Sequence, residues 1–178
     1  MIWTIGHGSR AIADFISLLR EAGIECLVDV RAYPASRRHP QFTREALEGS
    51  LADAGIRTVW EGKALGGRRK PDGSSPHLAL KNAGFRAYAG HMETQAFREG
   101  LDRLVETARA MRSAVMCAER LPWQCHRNLI ADSLVARGVC VLHLIGPGQA
   151  SEHALSRLAR IEGERLVYDV GGQLPLEA

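Results

Sequence analysis

Five side chains able to do chemistry fall within eleven residues of one another: Cys117, Glu119, Cys125, His126 and Arg127, in the stretch AVMCAERLPWQCHRNLIADSLVAR. Cys125 sits where a helix should begin, with His126 and Arg127 beside it. A helix N-terminus and cationic neighbours are what lower a thiol's pKa, and a thiolate so placed is a nucleophile. Glu119 would orient the reactive group. His7, following a strand end, is a second candidate acid or base near neutral pH. The plainer reading of Cys125 is a half-buried thiol that closes the loop, since free cysteine is among the most buried residue types. Cys117, Glu119, Cys125 and His126 also have ligand chemistry for a soft metal. Their spacing, C-x7-C-H, matches no common zinc pattern and adjacent Cys and His rarely reach one ion, so no metal and no cofactor is expected.

The second chemical signal is basic. Arg31, Arg37, Arg38 and Arg127, with Ser36 and Arg10, would make a pocket suited to phosphate, because guanidinium groups bind phosphate oxygens in pairs. The competing role for these arginines is pairing with Asp29 and Glu119 to hold the loops. Asp29, at the tip of an apolar strand, reads as an organiser of Arg31 or of a helix N-terminus, and Cys117 as an organiser of the neighbouring loop, rather than as general bases. Gly66-Gly67-Arg68-Arg69-Lys70 could touch an anion or a nucleic-acid backbone, yet it lacks the spacing of a Walker loop or a dinucleotide fingerprint. Trp3 and Trp60 fall in strand patterns, leaving Trp123 as the aromatic placed to meet a ligand ring.

These residues need elements to position them. Ala114 to Cys117 is a short apolar run typical of a strand buried on both faces, and Leu129, Ile130, Leu134 and Val135 follow at helical spacing up to Gly138. Strands are likewise expected at Ile2–Ile5, Cys26–Arg31, Arg57–Trp60, Cys140–Ile145 and, as a terminal strand or tail, Arg165–Val170. Helices are expected around Phe15–Ala22 with Ser9 as cap, Ala46–Ala54 capped by Thr43, Phe85–His91, Phe97–Ala108 capped by Thr94, and Ser151–Ile161. Residues 61–82, rich in Gly, Pro, Ser and basic charge, read as a long mobile loop. Strands alternating with helices predict an α/β fold: one domain over residues 1–178, with a mostly parallel sheet of about five strands and helices on both faces. Ligands of such sheets bind beyond the carboxyl ends of the strands, which brings the loops after Ile5, Val30 and Cys117 to one edge.

The set TIGHGSR, LVDVRAYPASRRHPQF, LGGRRKP, GFRAYAGHM and MCAERLPWQCHRNLIADSLVARG resembles the domain-of-unknown-function family 488, DUF488, across almost the whole chain. Its most specific parts are Asp29 to Arg37 and the pair of motifs from Cys117 to Arg127. The resemblance implies a single α/β domain and no settled reaction. One departure is that Gly8 stands between His7 and Ser9, where similar members have Ser directly after the His.

Composition bounds the rest. With 46% apolar and 24% charged residues the chain is an ordinary globular protein, and a net charge of +3 permits a phosphate-bearing partner without demanding one. No secretion signal and no apolar stretch of membrane-spanning length is present, and four cysteines in 178 residues do not make a disulfide framework, so a cytoplasmic location and no membrane partner are expected. Two functions fit: an enzyme acting on a nucleotide or nucleic acid through the Cys/His/Arg site, or a non-catalytic module of the same fold that binds a phosphate-bearing small molecule or nucleic acid.

Overall fold

The computed structural model describes residues 1–70, 75–163 and 165–170. Its elements run β1 (Ile2–Gly6), α1 (Ile12–Glu21), β2 (Cys26–Asp29), α2 (Arg44–Asp53), β3 (Arg57–Trp60), α3 (Gly62–Leu65), α4 (Ala83–Met92), α5 (Gln95–Ala110), β4 (Ser113–Cys117), α6 (Arg127–Ala136), β5 (Val141–Gly146), β6 (Gln149–Glu152), β7 (Ala159–Glu162) and β8 (Arg165–Tyr168), with 3-10 turns at Pro40–Phe42 and Pro122–Gln124. Side chains of a strand alternate between its two faces, and β4 shows how this builds a core on each side of the sheet. Ala114 and Met116 pack with Phe15 and Leu19 of α1 and Leu47 and Leu51 of α2. Val115 and Cys117 pack with Leu101 and Leu104 of α5 and Leu129 and Leu134 of α6. The result is an α/β protein with helices on both faces of a six-stranded, mostly parallel sheet, one strand more than the sequence predicts.

Sheet order is β3-β2-β4-β1-β5-β6, with β5 to β6 the antiparallel pair. β4 lies between β1 and β2, in register Gly6 with Cys117 and Asp29 with Met116. The chain leaves β1 through α1 toward β2 on one side, and leaves β4 through α6 toward β5 on the other. Connections that depart in opposite directions open a crevice at the carboxyl ends of the two strands, where ligands of open α/β sheets bind.

Several local expectations give way. The helix predicted over Ser151–Ile161 is instead β6, a link and β7. The cause is tertiary: His153 N–H donates to Val141 O, and the imidazole is drawn into the core. Ser9 is exposed and α1 starts beyond Ala11 with no side-chain cap, while the Thr43 hydroxyl donates to Pro40 O instead of capping α2. Thr94 does cap α5, accepting from Phe97 N–H. Within the expected loop, Gly62–Leu65 form a helical turn, and residues 71–74 lie outside the described residues. Cys140 precedes β5 and is half-buried rather than part of a buried strand.

A buried polar chain fastens α6 to β1, β5 and β8. The Thr4 hydroxyl lies 2.7 Å from His143 Nδ1, His143 Nε2 lies 2.9 Å from His153 Nδ1, and His153 Nε2 lies 2.9 Å from Asp132 Oδ1. Asp132 also accepts from Tyr168 OH and Ser156 N–H, each at 2.9 Å. With both rings neutral, one ordered direction of donation from Thr4 to Asp132 satisfies every ring nitrogen. Burial, with His153 and Arg127 nearby, lowers the His143 pKa from 6.5 to about 4. The unfolded chain therefore takes up this proton near pH 6.5 while the fold refuses it. Stability is complete above that value and declines as pH falls toward about 4, at up to roughly 1.4 kcal/mol per pKa unit. Urea unfolding between pH 7 and 4 should show this loss, to which His7, also lowered to about 4, adds with the same sign; a flat profile would contradict it. Asp132→Ala, which strands the buried His153 and Tyr168 donors and the half-buried Ser156 N–H, should cost about 3 kcal/mol or more at pH 7 in the same assay.

Candidate functional site

The crevice is built by extending the β1–β4 ladder into loops. His7 N–H donates to Cys117 O at 3.1 Å and Gly8 N–H to Ala118 O at 2.8 Å, so the loop after β4 stays against the end of β1. Gly6 is required for that approach: a Cβ there would stand 1.8 Å from Glu119 O and 2.8 Å from Arg127 Nη1. Arg127, only 1% exposed, donates through Nη2 to Glu119 O and Arg120 O, both at 3.2 Å, and so clamps the loop from below. Its Nε and Nη1 have no partner among the described residues, and burial lowers its pKa.

Asp29 at the tip of β2 is committed to Arg31. Its Oδ1 accepts from Arg31 N–H and Nε at 2.9 Å and its Oδ2 from Nη2 at 2.7 Å, while Arg31 Nη1 donates to Phe42 O at 2.7 Å. This buried pair ties the end of β2 to the Phe42 carbonyl. His7 stacks on Phe42 at 4.3 Å and its Nδ1–H donates to Gly8 O at 2.9 Å, which leaves the Nε2 lone pair to accept from Arg31 Nη1 at 3.4 Å. Burial first, then Arg31 and His39, outweigh the Gly8 carbonyl and drop its pKa from 6.5 to about 4, so this ring is neutral at physiological pH.

The floor of the crevice gathers sulfur, nitrogen and carboxylate. Cys117 Sγ donates to Glu119 Oε2 at 3.0 Å and lies 3.7 Å from His126 Nδ1; Cys125 Sγ is also 3.7 Å from that nitrogen. His126 Nε2–H donates to Val30 O at 3.3 Å, which in the neutral ring turns the Nδ1 lone pair toward both sulfurs. The adjacent Cys125 and His126 therefore converge, against the sequence expectation that neighbours point apart. They do so because a 3-10 turn at Pro122–Gln124 delivers Cys125 in an extended conformation just before His126 begins the helical turn. The bond with Cys125, then burial, pushes the Cys117 thiol well up. Burial alone would raise Glu119, but hydrogen bonds from Cys117 and Cys125 outweigh it and hold the carboxyl low. Burial likewise opposes protonation of His126, yet Cys117, Val30 O and Glu119 shift it upward on balance.

Above the floor is a hollow of about 690 Å³. Of the residues singled out in the sequence, His7, Arg31, Ser36, Arg38, Cys117, Glu119, Cys125 and His126 line it. Arg10, Arg37 and Arg127 do not: Arg10 is spent on Gly6 O and Ile145 O, Arg37 is exposed elsewhere, and Arg127 lies beneath the loop. Ser36 Oγ accepts from His39 N–H, closing the turn that carries Arg38. Trp123 is 59% exposed and outside the lining; the aromatic walls are Tyr33, Phe85 and Tyr88. Arg68 and Arg69 of the Gly66–Lys70 segment, for which the sequence suggests an anion contact, join the lining, and Arg120, which the sequence does not single out, lines it as well. The signal for Arg68 and Arg69 was the double glycine before them. A Cβ at Gly67 would stand 2.9 Å from the His126 ring, so only glycine lets that strand of chain reach the floor and carry its arginines over it. Arg68 itself holds a left-handed backbone, φ 61°, a sparsely populated conformation that recurs at functional sites.

Residues 11–134, more than half of the chain, match a family model described as Domain of unknown function DUF488. No curated protein and no solved structure matches the chain. The match spans the β2 tip, the double glycine and the Cys117–Arg127 loop, though not His7. Because the floor depends on the close pass at Gly6, Gly6→Ala should destabilise the protein by about 2–3 kcal/mol as the Glu119 carbonyl is forced away, measured by urea unfolding. Unchanged stability would show that the loop does not press on β1.

Proposed function

We propose that this chain, which belongs to the DUF488 family, binds a phosphate-bearing ligand of nucleotide size in the hollow and acts on it over the Cys117–Glu119–Cys125–His126 floor. The family description assigns no reaction, so the reading rests on the site. The observation that carries it is the charge of the lining: among the described residues, Arg31, Arg38, Arg68, Arg69 and Arg120 against one carboxylate, Glu119. Arg31 is consumed by Asp29, and Arg69 donates to Gly66 O and Lys63 O. That leaves Arg38, Arg68 and Arg120 as the guanidinium groups for the ligand, each able to give two parallel donors to phosphate oxygens.

Size and walls support the same class. A hollow of about 690 Å³ is within the roughly 300–1,000 Å³ usual for small-molecule sites. Phe85 and Tyr88 offer apolar faces, and Asn82 and Gln124 offer polar atoms, for a ring system. Glu119 is a proton acceptor at the floor, while the neutral His7 already accepts from Arg31 through Nε2.

Isothermal titration with mononucleotides and inorganic pyrophosphate tests this. Expected is saturable binding that weakens as salt is raised, since the arginines are exposed to screening. Arg38→Ala and Arg120→Ala should each weaken it by about tenfold, the size of a charge-assisted hydrogen bond. Arg10→Ala, away from the hollow, should leave it unchanged if the fold is intact by circular dichroism. No binding at low salt, or equal loss in all three variants, would contradict the proposal.

A further inference from the structure

We infer that Cys117, Cys125 and His126 form a three-donor site for a thiophilic divalent metal ion of the zinc type, with its fourth position facing the hollow. The inference deepens the proposed function and rests on it only for what the open position would meet. Three observations carry it.

The first is spacing. The two sulfurs and His126 Nδ1 all lie within 4.8 Å of one another, with each sulfur 3.7 Å from the nitrogen. A tetrahedral ion with bonds of about 2.3 Å to sulfur and 2.0–2.1 Å to nitrogen separates sulfur from nitrogen by about 3.6 Å and sulfur from sulfur by about 3.8 Å. Each sulfur therefore already stands at the distance from Nδ1 that a bound ion would set.

The second is the partner of the far ring nitrogen. Histidines that bind metals donate their other N–H to a carboxylate or a backbone carbonyl, which fixes the tautomer and aims the lone pair. His126 Nε2–H does this to Val30 O at 3.3 Å, and Gly67 lets the chain close over the ring. The donor set of two sulfurs and one imidazole suits zinc and excludes calcium or magnesium, which prefer oxygen.

The third is charge. Binding releases the two thiol protons to solvent. Two thiolates and the Glu119 carboxylate then balance a divalent ion and the buried Arg127 guanidinium, whose Nε and Nη1 have no partner among the described residues. The hydrogen bond that Glu119 accepts from the Cys117 thiol at 3.0 Å is lost when that proton leaves, which frees the carboxylate, outside the three-donor set, to accept a proton from a water in the fourth position. Three protein donors with an open position is the pattern of catalytic, not structural, zinc.

Cobalt(II) titration of reduced protein purified without chelator or metal-affinity steps tests the site without needing a substrate. Expected is one equivalent bound with intense thiolate-to-cobalt absorption in the near ultraviolet and tetrahedral bands in the visible, displaced by zinc. Cys117→Ser and Cys125→Ser should each remove about half of the charge-transfer intensity. Each should also weaken binding by about a hundredfold or more, beyond the ten- to hundredfold loss typical of an outer partner. Cys140→Ser, away from the site, should change neither. The absence of thiolate absorption in the wild-type protein at an equivalent of cobalt, or a spectrum indifferent to both cysteine variants, would overturn the inference. The same apo preparation titrated with a mononucleotide separates the two readings. Nucleotide binding without cobalt binding removes the metal and leaves the pocket, while cobalt binding without nucleotide binding removes the pocket and leaves the metal.

Discussion

The insertion of β4 between β1 and β2 is the constraint on which the rest of the structure depends. It places Gly6, Asp29 and Cys117 in adjacent registers, so that the loops leaving three strands must share one edge. Parallel neighbours whose connections diverge leave their carboxyl ends uncovered by helix, and the chain fills that gap with backbone instead. The His7 and Gly8 amides pair with Cys117 and Ala118, and Val30 N–H pairs with Met116 O. Cys117 is thereby fixed to a rigid sheet while the loop that follows it folds back over α6.

Two buried arginines then do opposite tasks from the ones their chemistry first suggests. Arg31 and Arg127 are the cations nearest the strand ends, yet each is turned to protein acceptors: Arg31 to Asp29 and Phe42 O, Arg127 to Glu119 O and Arg120 O. Guanidinium groups buried at 7% and 1% exposure are costly unless hydrogen-bonded, so they serve as internal braces, and the rim arginines are left for ligand. The floor gains its geometry from these braces. With Arg127 pulling the 119–120 carbonyls down and Val30 O holding the His126 ring, two thiols and an imidazole are set close together inside a basic hollow.

Much of this was legible in the residues. The runs at Cys26–Arg31 and Ala114–Cys117 read correctly as strands, the latter as one buried on both faces, and the α/β class with helices on both faces follows from their alternation with helical patterns. The convergence of the loops after β1, β2 and β4 also followed, because ligand crevices in such sheets have a fixed position. What sequence could not supply was direction. Nothing in SRRHP says that Arg38 turns into the hollow and Arg37 away from it, since both are loop residues whose orientation is set by the Ser36–His39 turn. Nothing in C-x7-C-H reveals that a 3-10 turn brings Cys125 back beside Cys117. The segment after β5 misled because its helical spacing competed with an available sheet edge and with Asp132, which binds His153 only in the folded core. Tertiary partners outweighed local preference there, as they commonly do for short segments.

The measurement that reaches the center of this reading is a crystal structure of protein grown with zinc and a mononucleotide, with anomalous data collected at the zinc edge. Expected is one peak bounded by Cys117 Sγ, Cys125 Sγ and His126 Nδ1, with the phosphate held by Arg38 and Arg120 in the hollow above it. A structure with the three donors empty, and with the nucleotide phosphate bound on another face of the protein, would contradict it.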